Sequence, residues 1–67
     1  MNIESNILRR QAEALEDVAV NLRYIADGSF SQDEVNAYEH SERLCRDRAG
    51  QMVLQAEEIE SRHISGT

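Results

Sequence analysis

The chain has no lysine, no proline and no tryptophan, and among its 67 residues it carries one cysteine, two tyrosines and one phenylalanine. Without proline there is no proline-rich linker, and no low-complexity stretch divides the chain. It therefore forms one small domain at most, able to hide only a modest share of its apolar surface. No apolar run approaches the roughly 18 residues of a membrane span, and no basic segment leads into an apolar one as in a secretion signal. The expectation is a soluble, unprocessed chain. A lone Cys45 excludes an intramolecular disulfide and suits a reducing cytoplasm. At a helical seam position it reads as a small hydrophobe.

The missing lysine gives the charge an unusual make-up. All seven basic residues are arginines (Arg9, Arg10, Arg23, Arg43, Arg46, Arg48 and Arg62), set against 13 acids for a net charge of −6. An acidic surface repels a phosphate backbone, so nucleic-acid binding is disfavoured. Arginine makes planar bidentate pairs, which suit specific contacts with protein carboxylates.

What the chain does have is two long helical patterns joined by the turn Asp27-Gly28-Ser29-Phe30-Ser31-Gln32-Asp33-Glu34. Gly28 stands where a helix ends in a left-handed residue. Ser31 and Glu34 have capping-box spacing, and Phe30 with Val35 has the spacing of a hydrophobic staple. These signals predict helix 1 over about 3–27, a turn over 28–31, helix 2 over about 32–62 and a frayed tail over 63–67. The fold class is all-α, an antiparallel two-helix hairpin.

Helix 1 carries two heptad lines. Leu8, Leu15 and Leu22 recur every seven residues with Val18 and Ile25 on companion positions, and Ala12, Ala19 and Ala26 recur beside them. Helix 2 alternates by three and four through Val35, Tyr38, Glu42, Cys45, Ala49, Met52, Ala56, Ile59 and His63. Folding back across the turn pairs Ile25 with Val35, Leu22 with Tyr38, Leu15 with Cys45 and Leu8 with Met52. The expected core and dimer residues are Leu8, Leu15, Val18, Leu22, Ile25, Cys45, Met52 and Ile59. Glu42 falls on the seam and is expected to lean toward Arg46 or meet an arginine of a second subunit. Gly50 inside helix 2 suggests a bend or a close backbone approach.

A lone hairpin buries little, and the doubled stripe on helix 1 exceeds what one antiparallel partner covers. Dimerisation into a four-helix bundle is therefore expected, each copy burying the other's seam.

Nothing in the pattern carries catalysis. Cys45 and His40 diverge around helix 2, and no His/Cys/carboxylate set has structural-zinc spacing. Glu57, Glu58 and Glu60 read as a solvated face. The expectation is a non-enzyme with no catalytic residue, metal or cofactor. Tyr24, Phe30, Tyr38, Glu39, Arg43 and Leu44, clustered in sequence around the hairpin end, are the candidate partner-binding residues, because tyrosine and arginine most often anchor interfaces. The expected function is binding and inhibition of another protein. Two alternatives stay open: an RNA-binding hairpin dimer of the plasmid-regulator kind, and an acidic DNA mimic. Acids interleaved with Arg9, Arg10 and Arg23 weaken the first, and the arginines themselves weaken the second.

As an acidic hairpin with the turn Gly28-Ser29-Phe30-Ser31 followed by Tyr38-Glu39, the chain resembles the very small phage-encoded proteins that disable host regulators, in particular a quorum-sensing anti-activator of Pseudomonas phages. That resemblance implies a homodimer in the host cytoplasm that binds a bacterial transcription factor of the LuxR type, and a second host protein such as a pilus-assembly ATPase.

Overall fold

The computed structural model describes the backbone of residues 3–65 and the side chains of residues 3–62. Two helices make up the fold, α1 over Ile3–Asp27 and α2 over Gln32–Ser65, packed antiparallel against each other. The expected hairpin is present, with the turn where the sequence placed it. Helix α2 continues past 62 to Ser65, and the turn that leads into this extension carries a Glu58–Arg62 pair at i and i+4. The His63 side chain and Gly66–Thr67 lie outside the described residues.

The molecule is a rod of 55 × 14 × 11 Å with a radius of gyration of 15.6 Å. A compact globule of this length would have a radius of about 11 Å. The excess means that burial is confined to one line between two cylinders.

That line is made of small residues. Ser5, Ala12, Ala19 and Ala26 on α1 and Ala49 and Ala56 on α2 are the buried side chains, none more than 3 % exposed. In the antiparallel register, Ser5 stands opposite Ala56, Ala12 opposite Ala49, Ala19 opposite Glu42 and Ala26 opposite Val35. Alanine at both sides of a contact lets helix axes approach toward the lower end of the usual 8–10 Å range. Within the hairpin, the expected core and dimer residues do not lie between the two axes. Leu8, Leu15, Leu22, Cys45, Met52 and Ile59 are half-buried on the flank of the seam, and Val18 and Ile25 are 46 % and 45 % exposed. Once the alanines have brought the axes together, no room remains between them for a leucine.

The turn also differs in its chemistry. Gly28 does not take a left-handed conformation. Its amide donates to the Tyr24 and Ile25 carbonyls at 3.3 and 3.1 Å, the Ser29 amide donates to Ala26 at 3.1 Å, and the Ser29 hydroxyl donates to Ile25 at 2.9 Å. Those bonds satisfy the last carbonyls of α1 without a positive φ. At the start of α2 it is the backbone carbonyl of Ser31 that accepts from the Val35 amide, at 3.0 Å. Among the described residues the Ser31 side chain makes no bond to complete the capping box. Phe30 is fully exposed, so the staple to Val35 does not form.

Candidate functional site

The heptad positions either side of the buried line divide the hairpin into two unlike faces. Three residues beyond each seam residue come Leu8, Leu15 and Leu22 on α1, and Tyr38, Cys45, Met52 and Ile59 on α2. Helical periodicity in antiparallel elements puts both sets on the same side of the seam, with Val18 and Ile25 at their outer edge. This row is free of charge along its centre and only half-covered by the hairpin itself.

Four residues beyond each seam residue come Arg9, Glu16 and Arg23 on α1, and Glu39, Arg46, Val53 and Glu60 on α2. These lie on the opposite side, and here the charges alternate so that they complement one another across the antiparallel register. Arg46 reaches Glu16 at 3.1 Å, and Arg23 reaches Glu39 at 3.7 Å and Glu42 at 3.4 Å. Val53 interrupts the ladder opposite Arg9, which instead forms a bidentate pair with Glu60, Nε to Oε2 at 3.0 Å and Nη2 to Oε1 at 2.7 Å. The Ser5 hydroxyl also bonds this carboxylate. The Arg9 bond, opposed in part by desolvation and aided by Ser5, holds the Glu60 carboxyl below its ordinary range. In the reverse sense, the Glu60 bond and charge raise Arg9. For Arg23, desolvation is outweighed by Asp27, Glu42 and Glu39 together, and its value rises as well.

Glu42, the one seam carboxylate, is held by two arginines of its own chain. Arg46 Nε stands 3.0 Å from Oε2 and Arg23 Nη1 3.4 Å from Oε1. It leans toward Arg46 as its position suggested, while Arg23 supplies the second contact without a second subunit.

The candidate partner-binding residues do not form one patch. Tyr24, at 81 % exposed, and Arg43 project from the ion-paired side, and Phe30 stands at the tip of the turn. Tyr38 belongs to the apolar row and is half-buried, Glu39 is engaged with Arg23, and Leu44 sits on the outer flank of α2. Sequence proximity to the turn grouped residues that the helical repeat sends in different directions. The charge ladder itself was missed. Its signal, Arg9-Glu16-Arg23 at a spacing of seven against Glu39-Arg46-Val53-Glu60 at the same spacing, is present in the sequence.

Between the Arg9–Glu60 and Glu16–Arg46 pairs the ion-paired side opens into a groove of about 830 Å³, floored by Ala12, Ala49, Gly50, Val53 and Leu54. Gly50 is helical, and a Cβ placed on it would meet nothing within 4 Å, so no close backbone approach inside the chain explains it. Among the described residues no group of three or more His, Cys, Asp or Glu side chains is arranged to hold a metal ion. No described helix is long and apolar enough to cross a membrane. No protein-family model matches the chain, and no curated protein or solved structure matches it at a significant level of similarity.

Proposed function

We propose that this chain is a non-enzymatic regulator that dimerises through its apolar row and binds, and thereby inhibits, another protein. The observation that carries this reading is the contrast between faces: one side bridged by ion pairs within the chain, the other a charge-free row of leucines with Tyr38, Cys45, Met52 and Ile59 that the hairpin leaves half open. Contiguous apolar surface of this extent marks an interaction site. The paired length of α1, about 38 Å, and a width of about 20 Å give on the order of 800 Å² per copy, which is what a stable interface needs from each partner. A second copy brings an identical charge-free row, and stacking the two completes a four-helix bundle.

With that row covered by a second copy, Tyr24, Phe30 and Leu44 remain as exposed large side chains for a different protein. Arg9, Arg23 and Arg46 are engaged with carboxylates of the same chain, and the net charge of −6 opposes phosphate binding by the remaining exposed arginines, which favours a protein partner over RNA. A bacterial transcription factor of the LuxR type is the partner implied by the resemblance. The reading is tested by combining light scattering with capture of a purified regulator of that type. A dimer that binds the regulator and loses it on Tyr24→Ala, Phe30→Ala and Leu44→Ala combined, at unchanged mass and helix content, supports it. A folded monomer contradicts the dimer, and capture unaffected by the triple change contradicts the assigned surface.

A further inference from the structure

We propose that the groove over Gly50 is a docking site for an amphipathic basic helix of a partner protein, an apolar side chain entering above Gly50 and arginine or lysine side chains reaching Glu13 and Asp47. The proposal rests on the reading of the chain as a protein-binding module and assigns its partner a chemistry. Three observations converge on this part of the molecule.

The first is the break in the charge ladder. Glu16 faces Arg46 and Arg23 faces Glu39, but Val53 stands opposite Arg9, and between the Arg9–Glu60 and Glu16–Arg46 pairs an apolar stretch is exposed. An acidic residue at 53 would have a cation to pair with in Arg9, whereas valine leaves this stretch apolar.

The second is Gly50. Glycine within a helix is less favourable than alanine by about 1 kcal/mol. Gly50 has no positive φ and no neighbour within 4 Å of the Cβ it lacks, so the hairpin gains nothing from it. It lines the groove together with Ala12 and Ala49, and a side chain placed on it would project into open space there.

The third is the charge at the rim. Arg9, Glu16 and Arg46 are committed to ion pairs, but Glu13 on α1 and Asp47 on α2 have no hydrogen-bond or ion-pair partner among the described residues. These two carboxylates stand at the same level on opposite helices, so a ligand seated on the apolar floor meets negative charge from both sides. That complementarity selects a cationic occupant, and a chain of net charge −6 makes a second copy a poor one. A helix is the form that presents an apolar residue with cations on either flank, and a groove between two helices is the surface that receives it.

The test uses a labelled Leu/Arg amphipathic peptide of about 18 residues, five helical turns, and a scrambled peptide of identical composition, titrated against the full chain by fluorescence anisotropy. The amphipathic peptide is expected to bind at least tenfold more tightly than the scrambled one. Gly50→Leu, which fills the groove without changing charge and replaces glycine with a better helix former, is expected to weaken the amphipathic peptide at least tenfold at an unchanged or higher melting temperature. Glu13→Gln with Asp47→Asn is expected to weaken it several-fold and to flatten its salt dependence. Equal binding of the two peptides, or full binding by a folded Gly50→Leu variant, overturns the proposal. Absence of peptide binding by a wild-type dimer also overturns it while leaving the dimeric regulator reading intact. That reading fails separately, on a monomeric mass.

Discussion

The two sides of the hairpin solve the same problem in opposite ways. Both flank one line of alanines, and both begin from residues at a spacing of seven. On one side the side chains are mostly arginines and glutamates that reach across to each other, so the hairpin satisfies that side from its own resources everywhere but at the groove beside Val53. On the other they are leucines, Tyr38, Cys45, Met52 and Ile59, which the neighbouring helix covers only in part. An exposed ion pair contributes little net stability, because its charges were well solvated beforehand. Half-buried leucines still hold most of the hydrophobic free energy that a further partner would release. The ion-paired side fixes register, and the apolar side supplies the drive to associate.

The largest effect is therefore expected on the apolar side. Val18 is nearly half exposed in the hairpin, so in an isolated hairpin Val18→Asp is an ordinary surface change, within about 0.5 kcal/mol. In a dimer it buries an unpaired carboxylate and costs several kcal/mol, so sedimentation should show the mass falling to the monomer with loss of helical signal. Leu15→Asp should act in the same direction.

Next comes the seam. Ala49→Leu forces a large side chain between axes set by alanine and should destabilise the fold by about 1–3 kcal/mol, measured by urea unfolding. If it stabilised the protein instead, the leucine line would be the true contact and the alanine line a flank.

A smaller effect of opposite sign is expected at Gly50, where Gly50→Ala should stabilise by up to about 1 kcal/mol in a thermal melt. Its helical φ and the open space above it mean that no strain opposes the gain.

The smallest effect concerns pH. Because the folded Glu60 carboxyl lies below its unfolded value, the unfolded chain binds the proton more readily. The stabilisation is full above the unfolded value and disappears as pH falls through the folded one. Melting temperatures of wild type and Glu60→Gln should therefore differ at neutral pH and converge in acid, and the neutral-pH difference should shrink at high salt. A difference that grew in acid would mean that Arg9 does not hold this carboxylate in solution.

Much of this was legible in the sequence. The helix limits near the turn, the antiparallel pairing and the lean of Glu42 toward Arg46 follow from heptad spacing and from the polar turn. The choice of seam did not. Leucine and alanine lines recur with the same period on adjacent positions, and periodicity alone does not say which one lies between the axes. Size suggested leucine, whereas the approach of two helices without a third favours alanine. Gly28 and Phe30 misled for a related reason: each has the residue type of a known terminal motif, yet Ser29 already satisfies α1 carbonyls and Phe30 stands fully exposed. The charge ladder was readable but appears only when the two helices are aligned antiparallel and read together.

The most direct measurement of the contrast between the faces is the molar mass of the wild-type chain by light scattering at micromolar concentration. A dimer at twice 7.6 kDa, reduced to a single chain by Val18→Asp, is the expected result. A well-folded species at 7.6 kDa would mean that the apolar row needs no second copy, and would contradict the division of labour between the two sides.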